Sequence, residues 1–289
     1  MNIEDIKNVC VVGAGNMGHQ ISLLCAISGY KVVCTDISKE MLDKASKFAD
    51  NYLAGRVSKG KMKDEDAKKV KARLSFTPNM AIAAKDADLV IEAVLEKIGL
   101  KKKVFAELDA IAPPHAIFAT NSSMIVSSAI ADVTSRQSKV LNMHFFNPAL
   151  VMKLVEVVKG PHVSDETAKI AMDFCVRLSK EPILIHKEID GFVLNRLLLA
   201  LNREAMWMME IGVASAEDID KAAVYGAGHP MGPFRLMDLT GIDVNYDILM
   251  GQFKKSGEKA DYPPPSLVKH YALGQYGEKV GEGWFKYSK

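Results

Sequence analysis

The stretch Asn8-Val9-Cys10-Val11-Val12-Gly13-Ala14-Gly15-Asn16-Met17-Gly18 decides how the rest of the chain is read. Its first five residues are a short, largely β-branched apolar run, which predicts a buried strand. The glycines that follow have the spacing GxGxxG, and residues 16–28 then place Met17, Ile21, Leu24, Cys25 and Ser28 on one helical face. Strand, glycine turn and helix in that order make a cradle for a pyrophosphate. The first glycine permits the tight turn, the second lets the ligand approach the backbone, and the third lets helix and strand pack closely. The helix N-terminus adds free N–H groups and a partial positive charge. Gly13, Gly15, Asn16, Met17 and Gly18 are therefore the candidate cofactor loop.

Working outward, Gly29 suits the left-handed position that stops this helix, and residues 31–35 read as a second strand ending at Asp36. A carboxylate there can accept both ribose hydroxyls and repels a 2′-phosphate, which favours NAD over NADP. Strands are expected at 89–93, 117–120, 140–145 and 154–158, with a helix over about 98–111 and the last of these strands finishing the sheet. Residues 38–73 are Lys-rich and too long for one crossover helix; Gly55 and Gly60 are read as its breaks, giving a helical excursion. Beyond about 190 the texture becomes helical, beginning with an apolar run from Gly191 to Leu201, and Ser215 with Asp218 marks a capped helix start. The expected fold is α/β: a Rossmann-like, doubly wound, mostly parallel sheet over 1–188, followed by an all-helical C-terminal domain over 189–289 that supplies substrate and dimer contacts.

The composition sets limits on this reading. Two domains fit 289 residues, and 48% hydrophobic residues against 25% charged is enough to build a core. Lys plus Arg at 37 nearly cancels Asp plus Glu at 35, so neither nucleic acid nor a membrane surface is an expected partner. The four cysteines form no CxxC pair, so no metal or disulfide framework is expected. No signal-like start or spanning apolar run is read, and the expected location is cytoplasmic.

Chemistry is carried by two residues twelve apart. His144 interrupts an apolar, strand-like run, and Glu156 sits among alternating valines in Leu154-Val155-Glu156-Val157-Val158. A lone buried carboxylate is costly, and His144 is its natural partner. A carboxylate on an imidazole fixes the tautomer and raises its basicity, as a general base for an alcohol requires. Taken alone, His144 reads equally well as a satisfied core histidine, Ser123 as the cap of a helix near Ile125, and Lys101 in Lys101-Lys102-Lys103 as a solvated face.

Taken together, the motifs resemble a known family. GxGxMG, Glu92-Ala93-Val94-Leu95-Glu96, Thr120-Asn121-Ser122-Ser123, His144-Phe145-Phe146-Asn147-Pro148, Asp190-Gly191-Phe192-Val193-Leu194-Asn195-Arg196, Gly228-His229-Pro230-Met231-Gly232-Pro233-Phe234 and Gly281-Glu282-Gly283-Trp284-Phe285-Lys286-Tyr287 occur in order along essentially the whole chain. They resemble the short-chain 3-hydroxyacyl-CoA dehydrogenases, and among them the bacterial 3-hydroxybutyryl-CoA dehydrogenases. The resemblance implies an NAD enzyme acting on (S)-3-hydroxyacyl-CoA, with roles in fatty acid and butyrate metabolism. It assigns His144 as general base, Glu156 as its orienting group, and Ser123 and Asn195 as hydrogen-bond partners of the C3 oxygen. It also implies cofactor contacts at Asp36, Glu96, Lys101, Ser123, Asn147 and Lys279, and CoA contacts at Ser123 and within Arg56, Lys59, Lys61 and Lys63. The apolar helix around 192–211, carrying Met206, Trp207 and Met209, is the candidate contact of an expected homodimer, and on periodicity alone it reads nearly as well as a core helix of a monomer. Departures from the family pattern are His19-Gln20 after the glycine loop, Gly99, and Met124 after Ser123. An NAD dehydrogenase of a non-CoA hydroxy acid and a non-catalytic dinucleotide-binding protein stand as the alternatives.

Overall fold

A computed structural model describes residues 1–288. It divides into two compact units, Met1–Val193 and Leu194 onward.

The first unit is a sheet whose strands are β1 (Asn8–Val12), β2 (Lys31–Thr35), β3 (Leu74–Thr77), β4 (Leu89–Glu92), β5 (Ile117–Thr120), β6 (Val140–Phe145), β7 (Leu154–Val158) and β8 (Glu181–Ile185). Their order is β3-β2-β1-β4-β5-β6-β7-β8. β1 to β6 are mutually parallel in the 3-2-1-4-5-6 order of a dinucleotide-binding sheet, and β7 then runs antiparallel to β6. The central strands β4, β5 and β6 are buried at every residue, which is why they read as unbroken apolar runs. Helices cover the faces: α1 (Asn16–Ile27), α2 (Lys39–Ser58), α3 (Asp64–Arg73), α4 (Met80–Ala84), α5 (Ile98–Ile111), α6 (Ser128–Ala131) and α7 (Asp165–Arg177). The mostly parallel α/β architecture is as expected from sequence.

Several details differ. Gly55 does not break the excursion: α2 runs through it, and the chain turns at Gly60, whose φ is +65°. β7 does not finish the sheet, because β8 pairs alongside it, and β3 was not anticipated at the opposite edge. Gly29 behaves as read. At φ +102° it donates to Ala26 O while Tyr30 donates to Cys25 O, the paired bonds that close a helix C-terminus.

The second unit is helical: α8 (Leu194–Glu210), α9 (Ala216–Lys221), α10 (Pro233–Thr240), α11 (Ile242–Ser256) and α12 (Pro265–Ala272). α8 begins at Leu194 rather than Gly191. Gly191 and Phe192 take φ +76° and +48°, so the segment before α8 is a turn. Ser215 caps α9 by accepting the Asp218 N–H at 3.1 Å. Phe234, Met237, Ile242, Met206 and Leu267 form this unit's core, and the Asp238 carboxylate ties down the C-terminal residues through the N–H groups of Trp284 and Phe285 and the Tyr287 hydroxyl. Among the described residues, no helix is long and apolar enough to cross a membrane.

Candidate active site

Where the strand order reverses, between β1 and β4, the C-terminal strand ends open into a cleft of about 430 Å³. The glycine loop, the turn after β4, the turn after β5 and the end of β6 all line it.

The three glycines of the loop divide the work. A Cβ on Gly13, which has φ +101°, would lie 2.7 Å from Ala93 O, and one on Gly18 would lie 1.8 Å from Gly13 O. Only the space beyond Gly15 is open, with nothing within 4 Å. The loop is therefore packed at Gly13 and Gly18 and open at Gly15, with room there for a pyrophosphate. α1 has no side-chain cap, so its first N–H groups are left for a ligand. At the end of β2, Asp36 accepts the Ala14 and Ser38 N–H groups, each at 2.8 Å, one on each oxygen. Each oxygen keeps a lone pair for a ribose hydroxyl. These features fit a bound dinucleotide.

His144 and Glu156 are register partners across the antiparallel β6–β7 pair, so their side chains leave the same face of the sheet. His144 Nδ1 lies 2.9 Å from Glu156 Oε2, with His144 6% and Glu156 0% exposed. Glu156 Oε1 accepts the Val193 N–H at 2.9 Å. The carboxylate places the proton on Nδ1 and leaves the Nε2 lone pair to do chemistry. Phe146 and Phe192 pack on the imidazole, with ring centroids 4.4 and 5.7 Å away.

A second buried network was not read from sequence. Lys101 is 1% exposed, and its ammonium lies 2.7 and 3.0 Å from the two oxygens of Glu92, itself 0% exposed. Thr120 donates to Glu92 at 2.6 Å, and Glu96 stands 3.2 Å from the same ammonium while bonding the Ser122 hydroxyl. Lys101 is thus no solvated face. The available signal was Glu92 ending the otherwise apolar strand Leu89-Val90-Ile91, the same signal that exposed Glu156. Ser122, not Ser123, takes the local turn bond, accepting the Ile125 N–H at 2.7 Å, and Ser123 lines the cleft. The His19-Gln20 pair is accommodated: His19 packs on Phe48 of α2 and bonds Gly15 O, while Gln20 bonds Asn16 O. Asn16 in turn reaches Asn147 at 3.0 Å, linking the glycine helix to the end of β6.

Asn16, Met17, Glu96, Lys101, Ser123, His144 and Asn147 thus share one cleft. Arg56, Lys59, Lys61 and Lys63 lie at the α2–α3 junction, outside the lining residues. Asn195 and Lys279 belong to the second unit. Asn195 is in the first turn of α8, and Lys279 pairs with Asp243 at 2.5 Å beside the Tyr276 ring. Met206 is buried in the core of its own unit and so presents no surface to a second copy; Met209 packs on that core while partly exposed, and Trp207 is exposed.

This sheet and glycine loop are those of a dinucleotide-binding domain. Residues 8–189 match the NAD-binding domain of 3-hydroxyacyl-CoA dehydrogenase, and residues 191–287 match the C-terminal domain of 3-hydroxyacyl-CoA dehydrogenase. The chain belongs to the 3-hydroxyacyl-CoA dehydrogenase family and is an NAD-dependent oxidoreductase. The mitochondrial hydroxyacyl-coenzyme A dehydrogenase of Rattus norvegicus is 40% identical, covering 98% of this chain and 91% of its own. A probable 3-hydroxybutyryl-CoA dehydrogenase of Bacillus subtilis is 37% identical over 99% of both. Among solved structures, the (S)-3-hydroxybutyryl-CoA dehydrogenase of Ralstonia eutropha superposes with a TM-score of 0.92 at 35% identity, over 99% of this chain and 100% of that one.

Proposed function

We propose that the protein interconverts (S)-3-hydroxyacyl-CoA and 3-oxoacyl-CoA, acting on short chains such as 3-hydroxybutyryl-CoA, and that His144 performs the proton step. The observation that supports this reading best is that the His144 imidazole, with its Glu156 partner, and the bare side of the glycine loop face one cleft. Bound NAD supplies the nicotinamide carbon that takes up or returns the hydride of C3. His144 Nε2 accepts the hydroxyl proton in the oxidative direction and donates it in the reductive one. Glu156 holds the ring in the needed tautomer and stabilises the imidazolium. Ser123 and Asn195 hydrogen-bond the C3 oxygen, while Glu96, Lys101, Asn147 and Lys279 hold the cofactor end. Arg56, Lys59 and Lys61 bind the CoA phosphates. The short-chain and (S) readings rest on the names of the bacterial relatives. The second unit contributes substrate and dimer contacts, the latter through exposed Leu197, Trp207 and Ile211 of α8 and the turn after it. Four buried, free cysteines fit a reducing, cytoplasmic compartment.

The test is the fall of NADH absorbance with acetoacetyl-CoA, repeated with longer 3-oxoacyl chains and with free acetoacetate. Fastest turnover on acetoacetyl-CoA is expected. Turnover of acetoacetate but of no thioester would overturn the CoA reading.

A further inference from the structure

A second cavity, of about 600 Å³, opens at the other end of the sheet. It lies at the N-terminal ends of β1 and β2 and beside the end of α1, about 16 Å from the cofactor cleft by strand length alone. Four of its nine lining residues are cations: Lys7, Lys31, Arg73 and Arg177. None of the lining residues is acidic. The carboxylates bonded to them are Glu4, paired with Arg177, and Asp88, which accepts the N–H groups of Lys7 and Asn8 and also holds His115. Lys7, Lys31 and Arg73 have no ion-pair partner among the described residues.

Local structure does not use up this charge. The C-terminus of α1 carries about half a negative charge, which one cation balances. Its carbonyls at Leu24, Cys25 and Ala26 are already taken by backbone N–H groups. The Tyr30 hydroxyl, in a residue 6% exposed, lies beside the Arg177 guanidinium, and its O–H finds no acceptor within hydrogen-bond distance. A hydroxyl hydrogen left without an acceptor beside these cations calls for one. Burial pushes this phenol above the usual tyrosine range against the pull of the nearby Arg177 guanidinium, so it stays a proton donor. The volume falls within the range of small-molecule sites, and four lining cations with no lining carboxylate suit a phosphoryl group of charge about −2 better than a singly charged carboxylate.

We propose that this cavity binds the phosphoryl group of a small phosphorylated molecule, held by Arg73, Arg177, Lys31 and Lys7 with the Tyr30 hydroxyl as a further donor. The site is separate from the cofactor cleft and does not depend on the reaction assigned to it.

The test is calorimetric titration of the full chain with inorganic phosphate, pyrophosphate and glycerol 3-phosphate, at constant ionic strength and with saturating NADH to block the glycine loop. Binding is expected, weakened at least about tenfold by Arg73→Gln and by Lys31→Gln, and weakened by Tyr30→Phe. Equal affinity for phosphate and the monoester identifies the phosphoryl group as the whole ligand; tighter monoester binding adds its organic part. The two glutamine variants remove unpaired surface cations, so their folding is expected to match wild type by circular dichroism. Absence of heat with every probe overturns the proposal, and so does binding that neither glutamine variant changes.

Discussion

Glu156 faces His144 as its direct register partner across the one antiparallel pair in an otherwise parallel run of strands, with 2.9 Å between Oε2 and Nδ1. The register is what brings the two groups together, because opposed residues of adjacent strands present side chains to the same face. The other oxygen of Glu156 accepts the Val193 N–H, immediately before the second unit begins. The carboxylate is thereby fixed from two directions, and the imidazole inherits its orientation from the sheet and the turn together.

Asp36 should govern the choice of cofactor. Its two oxygens are fixed by Ala14 and Ser38 N–H groups, so the carboxylate is held in one orientation at the end of β2. Asp36→Ala is expected to weaken NADH binding roughly tenfold or more, the scale of one hydrogen bond to a charged group. NADPH binding should fall less, because a charge repelling the 2′-phosphate goes too. Fluorescence titration with each nucleotide checks this, and equal losses would remove Asp36 from that role.

Lys101 should matter for stability as well as for the cleft. Lys101→Met leaves Glu92 buried and without its counter-charge, and removing one partner of such a pair costs about 3–5 kcal/mol. The double variant Lys101→Met, Glu92→Gln should recover much of that loss, since no naked charge remains. Urea unfolding of the three proteins measures it. A loss below about 1 kcal/mol in the single variant would mean that Lys101 is not clamped as described.

Gly55 lies inside α2, and a Cβ there meets nothing within 4 Å. Gly55→Ala should therefore stabilise the protein by about 0.4–1 kcal/mol, chiefly by restricting the unfolded chain. A rise in Tm is expected, and a fall would show that residue 55 needs a conformation only glycine adopts.

The same position shows where sequence reading stops. Glycine signals a break only when the backbone must turn left-handed. Gly60 does so and Gly55 does not, a difference that composition does not carry. The two strands not anticipated, β3 and β8, are the two edges of the sheet. Edge strands are buried on fewer sides, so Leu74-Ser75-Phe76-Thr77 lacks an unbroken apolar run and β8 carries Pro182. The central strands, the glycine loop, Asp36 and the His144–Glu156 pair were legible because burial and backbone geometry allow few residue types there. Lys101 was not, because an ammonium on a Lys-rich helix face looks solvated until the strand ending in Glu92 is placed beside it.

The most direct test of the central claim is kcat for acetoacetyl-CoA reduction by Glu156→Gln and His144→Ala, with the NADH dissociation constant measured on the same preparations. The account predicts a kcat lower by a factor on the order of 10²–10⁴ for Glu156→Gln, a greater loss for His144→Ala, and NADH affinity within about twofold of wild type for both. Wild-type kcat in either variant would contradict it.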